Sequence, residues 1–570
     1  MTPCQPTHRA DARPDPPRWP HLFAAQAIDA FQDPDHGSQR QYAREHGIPR
    51  STLGSWLRPD PDHADLDPHL VAFLRSAAGL AWLRRLVVAL FVVFSFRGAC
   101  GLRLLQQFLR LTQLDRFVAS SLGSLHQLGQ VIQEDLGRFA DEERALLARG
   151  LAPRHIALVA DENFHGEHVC LVAAEPASNF LVVEQYADCR DAATWAEAIR
   201  EGLRDLPLTV LLFTTDQARG LLACAEHDLE ALHLPELFHG QRDLGRPLLG
   251  PLARQAEAAR KVLQQAEDNA QHCRDEAAQA AAGPRGPGRP KDHARHLARA
   301  QEGVAQATRE VEACAGRPAE ALAAVRGVAD DYHPFDSESG AAVAEAEMER
   351  RLGQRLRTLG RVADQAGLGT KAEQALARGQ RWVGALVAAL SWFGDVARLQ
   401  VEELGLPEEA EQAVYGQLLP GLYWRQQAPR ARTAEQRRQR EDLADRLLAR
   451  AGAPGGPLSR LPPEEQQAVR RTGDELVGLF ARSSSCVEGR NGRLALFHHG
   501  QTRLGAGRLK ALTAVHNYLS QRADGTTAAE RFFGQKPRDL FAWLLGRLPD
   551  LPHPAAKRPH KADRPTAKAG

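Results

Sequence analysis

At 570 residues the chain is too long for one ordinary domain, and with 43% apolar and 6% aromatic residues it can bury several cores, which excludes global disorder. Its formal charge of +1 hides a segregation: residues 490–570 carry 15 Lys/Arg against 5 Asp/Glu, a net of +10, which leaves −9 on residues 1–489. A basic C-terminal segment on an acidic chain suits a polyanionic partner held locally, although residues 553–570 alone read equally as a basic, disordered, solubilising tail.

Residues 1–37, rich in Pro and Asp, read as a loose leader without the apolar core of a signal peptide. Residues 38–58 read as a helix-turn-helix. Ala43 is small where two helices approach, Gly47 permits the left-handed turn, and Pro49 suits the first turn of the second helix. Leu53, Trp56 and Leu57 give that helix its buried face. Arg50, Ser51, Thr52, Ser55 and Arg58 are left to meet phosphates and base edges in a major groove; a helical hairpin without a DNA role is the plainer alternative. This leader and DNA-binding region spans 1–66, and a Leu-rich helical region follows over 67–150. The greasiest run, Leu86 to Phe96, has 11 residues where a membrane span needs about 20, so it reads as a core helix. Eight cysteines, at 4, 100, 170, 189, 224, 273, 314 and 486, form no Cys-x-x-Cys. That pattern suits neither a disulfide framework nor a zinc ribbon but a reducing cytosol. A soluble cytoplasmic protein near the nucleoid, with no membrane partner, is expected.

At residue 151 the period changes from helix to strand. Ile156 to Ala160 is an apolar run that meets Asp161. His168–Ala174 and Phe180–Val183 read as two further strands joined by a turn, Ala192–Leu203 as a helix, and Leu208–Thr214 as a strand running into Asp216. A crossover helix normally sets its flanking strands parallel and adjacent, which brings Asp161 and Asp216 to neighbouring C-terminal strand ends. This β-β-β-α-β order is the opening of a ribonuclease H-like α/β fold, here assigned to 151–250. Glu162 faces the other side of the strand. His165 and His168 lie in a turn and a strand and do not suit zinc. His239 and Asp243 read either as supporting groups or as surface residues.

Residues 251–475 read as a large all-α insertion. The stretches 253–281 and 292–315 suit a long hairpin of exposed helices. Between them Gly283 to Lys291 forms a basic loop whose Arg289 suits an A·T-rich minor groove, though a connector turn explains the loop as simply. No phosphate-binding glycine loop is present, so no nucleotide cofactor is expected. Residues 476–552 complete the core: Glu488, on a helix capped by Ser484 or Ser485, offers a third carboxylate. Arg490, Asn491 and Arg493 lie within a turn or two of it, suited to phosphate contacts. Transfer at a phosphodiester needs an activated oxygen nucleophile and relief of charge on the leaving oxygen. Two divalent ions, magnesium or manganese, supply both when held by a few carboxylates. Asp161 alone reads as a turn-starting aspartate; together with Asp216 and the strand order it reads as such a site.

The chain resembles DDE-type insertion-sequence transposases with a ribonuclease H-like core. The likeness rests on the two aspartate regions and on Ser483 to Leu545, with its Cys-Val-Glu-Gly-Arg-Asn-Gly-Arg, Leu-Thr-Ala-Val-His-Asn-Tyr and Gly-Thr-Thr-Ala-Ala-Glu-Arg-Phe-Phe-Gly segments. It implies Asp161, Asp216 and Glu488 as an acidic triad holding two Mg2+ or Mn2+ ions. It also implies double-stranded DNA as partner, both element ends and target, and a homodimer or larger assembly. The last two acids stand 272 residues apart (488 − 216), and the Tyr-Arg-Glu-Lys spacing of one large transposase group is absent. Two alternatives stay open: a host nuclease of the same fold, and a transposase-derived DNA-binding regulator without catalysis.

Overall fold

The computed structural model describes residues 21–31, 37–58, 61–165, 167–216, 218–283, 291–499 and 504–554. The chain divides into two compact units, residues 1–149 with 496–570, and residues 150–495.

The first unit opens with a helix inside the expected leader, α1 (His21–Ala30), followed by α2 (Gln39–Glu45) and α3 (Arg50–Leu57). The helix-turn-helix forms as read. Gly47 takes φ +64°, and the Ile48 N–H donates to the Ala43 carbonyl across the turn. Ala27 of α1 joins Tyr42, Ala43, Ile48 and Leu53 in one small core, with Trp56 and Leu57 half-buried against it. Leader and DNA-reading candidate therefore share a core, which the Pro and Asp content of residues 1–37 obscures. Pro49 stands just before α3 and not within its first turn. Next come α4 (Pro68–Arg75), α5 (Ala77–Leu90), which continues through a π-helical turn to Arg97, α6 (Leu102–Leu111) and α7 (Leu122–Ala148).

The second unit contains a five-stranded mixed sheet: β1 (Arg154–His165), β2 (His168–Glu175), β3 (Phe180–Ala187), β4 (Leu208–Thr215) and β5 (Leu232–Pro235). Its spatial order is β3-β2-β1-β4-β5, with the first three antiparallel and β4 and β5 parallel to β1. The crossover helix α8 (Ala192–Gly202) and α9 (Arg219–Ala223) cover one face. There Trp195, Ile199 and Leu221 pack on Ile156, Leu158, Ala160 and Phe213. The four-residue β5 has no counterpart in the sequence reading, because a run that short carries no detectable alternation.

The remainder is helical: α10 (Leu237–Ala282), α11 (His293–Ala315), α12 (Arg317–Asp331), α13 (Glu345–Gln365), α14 (Thr370–Glu402), α15 (Glu408–Ala413), α16 (Leu419–Gln427), α17 (Ala434–Ala451) and α18 (Pro463–Leu479). The boundary expected at residue 250 falls inside the unbroken, 46-residue α10. The hairpin of α10 and α11 is present; its tip at 284–290, with Arg289, lies outside the described residues. From the insertion, α18 packs on β1 and α14 on β5.

Last come α19 (Ser485–His498), α20 (Ala506–Tyr518), α21 (Ala528–Phe533) and α22 (Leu540–Arg547). Of the segment expected to complete the core, only residues up to 495 belong to the sheet-containing unit. From Leu496 onward the chain joins the first unit, where α20 packs on α7 and Trp543 meets Phe139 edge-on. Apolar helices pair as readily with a distant α7 as with a neighbouring sheet, and sequence position does not separate the two. Among the described residues, two stretches, Ala77–Arg97 and Thr370–Glu402, are long and apolar enough to cross a membrane by length and composition. Both also bury core side chains within their own units, Leu83, Val87 and Phe91 in one and Leu386 and Leu390 in the other.

A carboxylate and histidine cluster at the sheet edge

Three acids lie just past the point where the parallel pairing of β1, β4 and β5 ends. Asp216 directly follows β4, and Glu236 directly follows β5. Asp161 is not at a strand end, as its apolar run suggested, but within β1, which continues to His165. The reading is understandable physically: β1 pairs with β4 only as far as Val159 opposite Thr214, and beyond that point its one partner is β2, with Asp161 opposite Val172. Asp161 therefore sits where β1 outruns β4. Glu162, one residue on, faces the α8 side, where Arg190 and the Trp195 indole meet its carboxylate.

Glu236 is the functional candidate that sequence reasoning missed: it too is an acid at a strand end, but its strand is too short to be read from the sequence. It caps α10, accepting the His239 N–H at 2.6 Å, and the same oxygen lies 2.7 Å from His239 Nδ1. Its other oxygen accepts the Ser484 N–H at 3.3 Å. The chain returning from the insertion is thereby stitched to the place it left, and the Leu237 N–H donating to the Arg482 carbonyl adds a second stitch. One turn later α19 presents Glu488. Ligand atoms of Glu236, His239 and Glu488 lie within 4.8 Å of one another. The Ser484 hydroxyl, expected as a cap, finds no partner; the Ser484 carbonyl receives the Val487 and Glu488 N–H groups instead.

Two of the residues expected on phosphates are used inside the protein. Arg490 is buried and makes a bidentate pair with the wholly buried Glu184 of β3, both contacts at 2.6 Å. A guanidinium so enclosed cannot reach a nucleic acid, and its work is to seat α19 on the sheet. Asn491 donates from Nδ2 to Asp161 Oδ2 at 3.0 Å. Arg493 is exposed, as are Arg50, Ser51, Ser55 and Arg58; Thr52 is half-buried, and the Ser55 hydroxyl bonds the Thr52 carbonyl of its own helix.

The electrostatics agree with the geometry. Burial pushes the Asp161 carboxyl up to about 6, and the nearby Asp216 and Glu488 add to this, against the Glu162 N–H and His239. Burial and then Glu236 raise Glu488. Burial alone would raise Glu236 as well, yet the hydrogen bonds from His239 hold it below the usual glutamate range. His239 is correspondingly raised by its bond to Glu236. Half-buried His233 of β5, bonded to the Thr215 hydroxyl at 2.9 Å, is pushed down to about 4 by its loss of water. Asp161 thus feels both Asp216 and Glu488, drawn from across the chain, and Glu488 feels Glu236; carboxylates set near one another repel unless a proton or cation intervenes.

The donor set fits a divalent cation. Glu236, His239 and Glu488 offer hard carboxylate oxygens with one imidazole, and the amide oxygen of Asn491, one turn along α19 from Glu488, is buried without a hydrogen-bond donor. A cavity of about 310 Å³ adjoins it, lined among others by Asp216, Glu236, His239, Arg242, Arg378 and Trp382. Its wall is tight: a Cβ on Gly240 would stand 2.1 Å from the Trp382 ring, so α14 docks directly on the α10 backbone one residue past His239.

Residues 414–560 match a family described as a family of unknown function (DUF6399). The match takes in Glu488, Arg490, Asn491 and Arg493 and leaves out Asp161, Asp216, Glu236 and His239. No curated protein and no solved structure matches the chain.

Proposed function

We propose that this chain is a DDE-type transposase, an enzyme that cuts and rejoins DNA at the ends of a mobile element using a ribonuclease H-like core and Mg2+ or Mn2+. What supports the reading is that Asp161, bonded to Asn491 of the helix that carries Glu488, and Asp216, lining one cavity with Glu236 and His239, both lie by the cluster that Glu488 joins, although 327 residues separate Asp161 from Glu488 (488 − 161). The sheet order β3-β2-β1-β4-β5 supports the ribonuclease H-like assignment, with α10 to α18 as the insertion between the second and third acids.

In this reading Asp161, Asp216 and Glu488 hold the cations, and Glu236 and His239 extend the site. Bound cations would activate the attacking oxygen and offset charge on the leaving oxygen. The protein's own part is positioning. Glu236 fixes His239 through Nδ1, which leaves Nε2 for a cation or for a proton of the attacking water. Asn491 and the Glu162 N–H orient the Asp161 carboxylate. The exposed helix-turn-helix face would read the element ends, and synapsis of two ends calls for a dimer or larger assembly.

The test is to look for terminal inverted repeats flanking the gene and to measure cleavage and strand transfer on a labelled duplex of that flanking DNA, beside a binding assay on the same duplex. Asp161→Asn, Asp216→Asn and Glu488→Gln should bind as well as wild type and lose metal-dependent cutting and joining. Cleavage without joining by the wild type would favour a nuclease, and an Asp161→Asn protein that cuts normally would end the proposal.

A further inference from the structure

Asn491 stands between two elements that each contribute to the cluster. Its Nδ2 donates to Asp161 Oδ2 at 3.0 Å, while its own backbone carbonyl lies 3.4 Å from Asn163 Nδ2. Asp161 and Asn163 share one face of β1, so a single residue of α19 is latched to that face at two points. The Glu162 N–H occupies the other Asp161 oxygen at 2.9 Å. Each carboxylate oxygen then has one hydrogen bond and one lone pair to spare, and the group is fixed in rotation.

The orientation of the Asn491 amide follows from this pairing. A carboxylate accepts and does not donate, so the nitrogen must face Asp161, and the amide oxygen is turned elsewhere. That oxygen is buried with no hydrogen-bond donor. A buried acceptor left unpaired costs about 1–3 kcal/mol. Rotating the amide would satisfy the oxygen only by opposing it to a carboxylate. What relieves both at once is a positive charge among the acids. Amide oxygens are ordinary ligands of hard divalent cations and ordinary acceptors from the waters such ions retain.

The geometry points to Asn491 as a member of the cation site: its Nδ2 orients Asp161, and its Oδ1 is held for the cation or for one of the cation's waters. This rests on the metal-dependent reading given above, and it replaces the phosphate contact that the sequence suggested for Asn491. The same side chain would then serve two purposes. Without metal it steadies a carboxylate that sits among other acids; with metal it adds an uncharged oxygen to a site already rich in negative charge.

The test uses the full-length protein and Mn2+ alone, titrated by electron paramagnetic resonance, with folding checked by circular dichroism. Asn491→Leu, close in shape but without polar atoms, should bind Mn2+ roughly 10- to 100-fold more weakly, as loss of an orienting partner does at metal sites. Asn491→Asp gives up the orienting N–H but keeps an oxygen in place and makes it a charged ligand, and the added ligand charge outweighs the lost bond, so it should bind Mn2+ at least as tightly as wild type. A purely structural role would weaken both variants alike, and that result overturns the assignment, as would an Asn491→Leu protein that binds like wild type while Asp161→Asn does not. If Asn491→Leu fails to fold, the comparison of Asn491→Asp with wild type decides, tight binding supporting the assignment and loss of binding overturning it. If the wild type and Glu488→Gln both fail to bind Mn2+, the metal reading falls and the role of Asn491 falls with it.

Discussion

Replacing Asp161 by Asn should stabilise the metal-free protein. The carboxyl rises from its ordinary 3.8 to about 6, chiefly through burial. A rise of that size corresponds to about 3 kcal/mol between the protonation states. Folded Asp161 holds its proton more tightly than unfolded Asp161 does. Its favourable contribution is therefore complete below pH 3.8 and is lost as pH rises through about 6. Asn removes the charge and keeps the local bonds: its oxygen can accept the Glu162 N–H, and the Asn491 amide can turn so that its unpaired oxygen accepts from the new NH2. Some relaxation around the site is expected, so a gain of about 2 kcal/mol at pH 7.5 is the working figure. Urea unfolding in EDTA, followed at several pH values, measures it. Wild type and variant should coincide below about pH 4 and diverge up to about pH 7, the variant being the more stable. With Mn2+ the order should reverse, because only the wild type gains from binding, and its Mn2+ affinity should climb through pH 6 as the competing proton leaves. Equal stabilities at pH 7.5 in EDTA, with parallel pH profiles, would refute the claim that Asp161 is an acid held at a cost for a cation.

Arg490→Met should destabilise the sheet-containing unit by about 3–5 kcal/mol, since Glu184 would remain buried without its partner; denaturant unfolding measures this, and the double change with Glu184→Leu should recover much of it. Gly240→Ala should cost about 1–3 kcal/mol, because the new methyl would meet the Trp382 ring; Trp382→Leu in the same protein should restore part of the loss in thermal unfolding. Arg50→Ala with Arg58→Ala should leave unfolding unchanged and weaken duplex binding, with the salt dependence shallower by up to about two counterions, as read by anisotropy across a salt series.

Much of the sheet was legible because its strands announce themselves. The run at 156–160, the β2–β3 hairpin and the β4 run into Asp216 all carry apolar patterns long enough to read, and their order dictates which edges meet. The helix-turn-helix was legible for a similar reason, a glycine at the turn and apolar residues at helical spacing. Glu236 was not, because β5 is four residues long and its acid carries no pattern of its own. Arg490 illustrates a different limit. An arginine beside a catalytic candidate reads as a phosphate ligand, and only the fold reveals that Glu184, 306 residues away in sequence, claims it in the core.

The wide separation between Asp216 and Glu488 looks like an obstacle to a common site, and energetically it is a small one. The chain leaves the sheet edge at Leu237 and returns at Arg482, 245 residues later (482 − 237). Closing a flexible segment costs about 0.6 kcal/mol for each doubling of length, so growth from some 30 residues to some 240 adds about 2 kcal/mol. Two kinds of contact outweigh that at the point of return. The Leu237 and Ser484 N–H groups and the Thr214 hydroxyl each bond across it, a net of about 1 kcal/mol apiece. Phe480, meanwhile, packs its ring on Tyr332 and Phe393, so the end of the insertion is anchored in the insertion's own core. The position of Glu488 is accordingly set by the few residues from Phe480 to Asn491 and by what they touch. If so, shortening the hairpin of α10 and α11 at its distal end should leave Mn2+ binding intact, whereas replacing Phe480 by Ala should weaken it. A truncated hairpin that abolished binding would show instead that the insertion acts on the site as a whole.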